Sequence, residues 1–203
     1  MEILKKTRKI FDQKGYRFFD NGKPFNLNII GVRSDERVAG KFDDSIMVLY
    51  RDQIRDWRVF VAPLTTDPGS FYLRKPLNPN GTLIMLEGQY TGVYKKGIHG
   101  RTWTSGGYPA LEQCGDISYV RDANRDNILD IDKDNVITGN FKTNIHRAYK
   151  NKVAEFIWKW SAGCQVLQDP KDFDELMKLV DNSLLFGYPN KFSYTLLNQK
   201  DFE

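Results

Sequence analysis

The chain has little of what marks a metalloprotein, a membrane protein or a disulfide scaffold. Only two histidines, His99 and His146, and two cysteines, Cys114 and Cys164, stand among its 203 residues. Neither cysteine has a C-x-x-C partner, so a structural zinc site is not expected. Two thiols are too few to hold a domain of this size together by disulfides. No stretch approaches the roughly 20 apolar residues of a membrane span, and the opening segment "MEILKKTRKIFDQKGYRFF" lacks the apolar core of a signal peptide. No membrane partner is expected. There is no internal repeat and no low-complexity tract. A basic run of the kind that marks a nucleic-acid binder is also missing, so no nucleic-acid partner is expected either. The net charge of +4 is mild and selects no particular anionic polymer.

What is present is apolar and aromatic. Thirteen Phe, ten Tyr and four Trp, within 40% hydrophobic residues, supply enough surface for a real core. The length fits one domain, residues 1–203. A helix is expected from about Glu2 to Gln13, with Ile3, Leu4, Thr7, Ile10 and Phe11 on one face. "FNLNIIGVRS", "SIMVLY", "WRVFVAPLT", "TLIMLEGQY", "GNFKTNIH" and "FSYTLL" read as strands, rich in β-branched and aromatic residues and mostly bounded by turn signals. Asp169 and Pro170 open a second helix whose apolar stripe is Phe173, Leu176, Met177, Val180 and Leu184. The basic and aromatic stretch from Tyr90 to Trp103 reads as a solvated loop, the alternative being a contact for an anionic glycan or nucleic acid, with His99 exposed. The fold class is mainly β (α+β), one sandwich or barrel domain with peripheral helices.

Between the strands, "RDANRDNILDIDKDN" carries Asp122, Asn124 and Asp126 at the D-x-N-x-D spacing of an EF-hand loop, with Asp130 at its ninth position. The sixth position is Asn127 rather than Gly, and the twelfth is Lys133 rather than Glu. The two readings are a calcium loop, with calcium as the one possible cofactor, and a solvated acidic loop.

The chemistry-bearing stretch is "NIHRAYKNKVAEFIWKWSAGCQVL". A thiol becomes a useful nucleophile when an imidazole lowers its pKa and later protonates a leaving amine. A glycine before the cysteine opens space for a substrate carbonyl. Here His146 is followed by fourteen residues, Ser161, one residue, Gly163 and Cys164. Papain-like enzymes place the cysteine first. A buried thiol and an ordinary hydrogen-bonded histidine would also account for these two residues.

This order and spacing resemble the signature of the L,D-transpeptidase (YkuD-type) catalytic domain over about Ile145 to Val166. The turn Thr66-Asp67-Pro68-Gly69-Ser70-Phe71 is similar to a second family feature, with one extra residue before the proline. The resemblance implies a YkuD-like fold, with Cys164 as nucleophile and His146 as base and then acid. Ser161 would support the loop, and the backbone of Gly163 and Cys164 would form the oxyanion site. Arg147 and Trp160, flanking the pair, would contact substrate. The implied partner is peptidoglycan, with no cofactor required. The implied reaction is acyl transfer on stem peptides by an L,D-peptidase, carboxypeptidase or transpeptidase. With no signal peptide in the opening segment, synthesis in the cytoplasm and delivery to the cell wall by a phage or a secretion system are expected. Three positions depart from the family pattern. Ala162 stands for the motif's histidine, Gln165 and Val166 follow the cysteine, and Arg147 follows His146. The alternative is a non-catalytic, calcium-stabilised β-domain of a virion or injection apparatus.

Overall fold

Strand alternation in this chain buries both faces of several strands, which is why "SIMVLY" reads as a nearly continuous apolar run. In the computed structural model, which describes residues 1–203, Ile46 and Val48 join one core while Met47 and Leu49, between and beyond them, join another. The first core fills a closed barrel. The second lies outside it, under a helix.

The elements in chain order are α1 (Glu2–Lys14), β1 (Asn28–Arg33), β2 (Asp44–Arg51), β3 (Trp57–Thr65), α2 (Ser70–Arg74), β4 (Thr82–Met85), β5 (Gly88–His99), β6 (Tyr108–Gln113), β7 (Ile117–Asp122), β8 (Ile137–Gly139), β9 (Ile145–Arg147), β10 (Gln165–Leu167), α3 (Pro170–Leu185) and β11 (Phe192–Asn198), followed by a 3-10 turn (Gln199–Phe202). Eight strands close the barrel in the order β1-β11-β5-β6-β9-β10-β3-β2, and β4-β7-β8 form a separate small sheet. The mainly β class expected from the sequence holds, and the sheet closes as a barrel. No helix is long and apolar enough to cross a membrane.

Helix α1 lies on the barrel's outer face through Ile10 and Phe11, which pack with Ile30, Met47, Leu49 and Leu197. Each such side chain contributes roughly 1.5–3 kcal/mol by leaving water. The helix stops at Gly15, whose left-handed backbone (φ 68°) lets its N–H cap the last turn. Helix α3 starts as its sequence predicts, with the Asp169 side chain accepting from the Lys171 N–H. Its apolar residues Phe173, Leu176 and Val180 are part of the core inside the barrel.

Several local expectations are corrected. "TLIMLEGQY" is two strands, because the chain leaves the small sheet at Met85 and enters the barrel at Gly88. The segment from Tyr90 to His99 is the body of the twelve-residue β5, paired on both sides. Its buried Val93 and Tyr94 outweigh the adjacent Lys95 and Lys96, which sit at the surface in ion pairs with Glu112 and Asp181. "GNFKTNIH" is not one strand. Lys142 adopts a left-handed backbone (φ 64°), and Thr143 and Asn144 bond to Gln113 instead of extending a ladder. Strands β6, β7, β8 and β10 are not among the strands expected from the sequence.

Candidate active site

Strands β9 and β10 are only three residues each, and they carry the site. They pair in parallel, with Gln165 opposite Ile145 and Val166 opposite His146. Side-chain alternation then puts Ile145, Gln165 and Leu167 toward the barrel interior. His146, Val166 and, by the same alternation, Cys164 fall on the other face. Cys164 and His146 therefore share a face of adjacent strands, offset by two residues. That offset corresponds to roughly 8 Å between α-carbons from strand spacing and rise.

Cys164 is a free thiol, half-buried, on the wall of a cavity of about 450 Å³ that also touches Leu83, Arg121, Phe141, Lys142 and Ala162. Its Sγ donates to the Lys142 carbonyl at 3.9 Å and makes no hydrogen bond to either histidine. The protein packed around it pushes the thiol up to about 11, against a small opposing effect from the Asn144 backbone. A thiol lowered by His146 was the expectation. In this resting geometry burial prevails and the thiol is protonated.

The loop before Cys164 is fixed by Ser161. This buried hydroxyl accepts from the Gly163 N–H at 3.1 Å and donates to the Cys164 carbonyl at 2.8 Å. Gly163 has φ +123°, and a Cβ there would sit 3.0 Å from Leu83, so the position requires glycine. The Gly163 N–H is thus already occupied. The Cys164 N–H makes no hydrogen bond within the chain and is the free donor of the pair. The expected oxyanion site is therefore half engaged by Ser161. The Pro68-Gly69 turn docks on the same loop, with the Gly69 N–H donating to Ser161 O at 2.9 Å. A Cβ on Gly69 would lie 2.1 Å from the Trp158 carbonyl, which explains the glycine at this contact.

His146 is almost wholly buried. Its Nδ1 lies 2.9 Å from the Arg147 carbonyl, which can only accept, so the proton is on Nδ1 and Nε2 is left as the basic nitrogen. Burial, and then its neighbour His99, hold the ring far below the usual histidine range, at about 3. That neighbour is the residue most misjudged from sequence. His99 is half-buried, and its ring stacks on His146 with centroids 4.0 Å apart. The Gln113 N–H donates to Asn144 Oδ1 at 2.9 Å, which turns the Asn144 Nδ2 toward His99 Nδ1 at 3.0 Å. His99 Nδ1 is therefore an acceptor, and its proton is on Nε2. Tyr108 and Trp103 close the aromatic surround. The signal available in the sequence was position alone. His99 ends β5, which pairs with β6, and β6 pairs with β9.

Arg147 and Trp160 lie apart from the Cys164 cavity. The Arg147 guanidinium rests over the Tyr108 ring, 3.8 Å from its centroid. Trp160 packs edge-on against Tyr149 beside a second cavity of about 500 Å³. The cationic side chains that do reach the Cys164 cavity are Arg121 and Lys142. Gln165, a departure from the family pattern, points inward and is satisfied there. Tyr194 Oη donates to its Oε1 at 2.9 Å, and its Nε2 donates to Thr66 O at 3.3 Å. Asp122, Asn124, Asp126 and Asp130 lie together in the β7–β8 loop, but their carboxylates do not converge as a group of three metal ligands.

Comparison of the chain with protein-family models, with curated proteins and with solved structures gives no match to any of them.

Proposed function

We propose that the chain is a cysteine-dependent acyl-transfer enzyme of YkuD-like fold that acts on peptidoglycan stem peptides. One observation carries the reading. A free thiol on a cavity wall shares a strand face with a histidine whose Nδ1 proton is fixed by a carbonyl, leaving Nε2 as the base. In the proposed step, Nε2 of His146 takes the thiol proton as Sγ attacks a peptide carbonyl carbon. The Cys164 N–H donates to the oxyanion. The C–N bond then breaks, the amine leaves with the proton from His146, and a thioester remains. Water gives an L,D-peptidase or carboxypeptidase, and an amine gives a transpeptidase. Because the thiol starts protonated, proton transfer accompanies attack rather than preceding it. Arg121 and Lys142 suit a substrate that presents a carboxylate beside the scissile bond.

Incubation with bacterial muropeptides, with and without Cys164→Ala, tests the reading by mass spectrometry. Cleaved or exchanged stem peptides that vanish in the variant are the expected result. Hydrolysis and transpeptidation differ in product mass. The unactivated resting thiol favours one other reading, a non-catalytic β-domain of a virion or injection apparatus. An unchanged muropeptide panel for both proteins would select it.

A further inference from the structure

We propose that the β7–β8 loop is a binding site for a calcium-sized divalent cation, with Asp122, Asn124, Asp126 and Asp130 as its oxygen donors. The inference stands apart from the enzymatic reading. Its sequence basis is the placing of oxygen-bearing side chains at the first, third, fifth and ninth positions of the loop. Its structural basis is one atom. Asp122, the last residue of β7, is 1% exposed, and its Oδ1 is buried without any hydrogen-bond partner. Its other oxygen, Oδ2, accepts from the Asp130 N–H across the loop at 3.1 Å, so the carboxylate is turned into the loop rather than toward the barrel. A buried carboxylate oxygen without a partner is unusual and calls for a ligand.

The surrounding charge points the same way. The charged groups that bear most on Asp122 are Asp130 and Asp126. Asp132 and Asp134 follow in the same loop. No residue of this acidic run forms a salt bridge, although the chain carries 30 Lys and Arg. The neighbouring Arg121 is turned away, donating to the Gly81 carbonyl at 2.8 Å. The Asn124 Nδ2 sits between Asp126 Oδ2 at 3.1 Å and Asp130 Oδ2, supplying partial positive charge between them. This carboxamide bridges the two carboxylates. A cation in its place would draw the three carboxylates inward and take the Asn124 oxygen as a ligand. Donors that are all oxygen, with no histidine or cysteine, select calcium or magnesium over zinc. The absence of a closing glutamate places the affinity toward the weak end, with Kd about 10⁻⁵–10⁻³ M.

Such an ion would act on structure. The loop is tied to the body of the protein by the Ala39 N–H to Asn127 O bond and by the Leu129 N–H to Arg37 O bond. Leu129 packs with Leu73, Ile84 and Val120. Holding the loop holds this satellite core.

Calorimetric titration of the chelator-stripped full chain with calcium chloride, magnesium chloride in parallel, tests the site. Expected is saturable binding of one calcium, and a Tm rise of about 5–10 °C at roughly a hundredfold excess over Kd. Magnesium should bind more weakly. Asp126→Asn, an exposed and conservative change, should weaken calcium at least about tenfold while Tm in chelator stays at the wild-type value. Asp122→Asn should abolish binding, but its buried position makes Asp126→Asn the deciding variant. Folded wild type without saturable heat and without a Tm shift at about 10 mM calcium, above the weakest sites of this kind, would overturn the proposal. An Asp126→Asn protein with the full wild-type calcium response would do the same.

Discussion

His99 and His146 stack face to face, with their planes within 14° of one another. Two neutral imidazoles can occupy that arrangement, whereas two imidazolium ions would repel across it. The hydrogen bonds from Asn144 and to Arg147 hold both rings in neutral tautomers. Burial and the nearby Arg147 charge lower His99 as well.

The first prediction concerns these two rings. In a proton NMR titration both histidines should titrate below the usual 6.5, and His146 near 3. A base whose pKa is lower in the folded state binds fewer protons there. The stability it contributes is present above pH 6.5 and is lost as pH falls toward 3. His146→Gln should therefore flatten the fall of Tm with pH in that window. A His146 resonance titrating at or above 6.5 would contradict the stacked arrangement.

The second concerns the thiol. With its pKa pushed up to about 11, Cys164 should react slowly with iodoacetamide at neutral pH. The rate should climb about tenfold per pH unit until that value is reached. Peptide mass spectrometry separates Cys164 from Cys114. Full reactivity of Cys164 at pH 7 would show a thiolate already formed and would remove the coupled proton transfer from the proposed step.

The third concerns the loop. Ser161→Ala removes a buried hydroxyl that satisfies two backbone groups, so it should cost about 1–3 kcal/mol in urea unfolding. Gly163→Ala forces an alanine to φ +123° against Leu83 and should cost on the order of 1–3 kcal/mol. The two sites belong to one turn, so the double variant should fall short of the sum. Strict additivity would mean that the two residues act separately.

Helices α1 and α3 and strands with a plain apolar pattern were legible in the sequence, whereas the twelve-residue β5, with its paired lysines, and the shortest strands were not. Strand β3 and helix α3 follow local patterns that tertiary contacts reinforce. Strands β9 and β10 carry no pattern of their own at three residues each, and they exist because β6 and β3 supply ladders on either side. His146, Ser161, Gly163 and Cys164 could be singled out because a nucleophile, a base and a glycine turn leave a spacing in the chain. The stack with His99 could not be seen, because it joins residues 47 positions apart through two strand pairings. Gln165 looked like a defect in a motif. Tyr194, on the far side of the barrel, and the Thr66 carbonyl explain it.

The barrel closes where β1 and β11 run parallel, from Ile29 opposite Tyr194 to Arg33 opposite Asn198. The first and last strands of the sheet are therefore neighbours, and β11 also completes the pairing of β5. During synthesis, β1 and β5 emerge from the ribosome long before the strand that covers their edges. The nascent chain must hold two open edges until β11 is made, and barrel closure waits on a contact between residues 165 positions apart, Ile29 and Tyr194. Loss of β11 would reopen both edges at once, leaving a sheet that can continue into a neighbouring molecule instead of closing on itself.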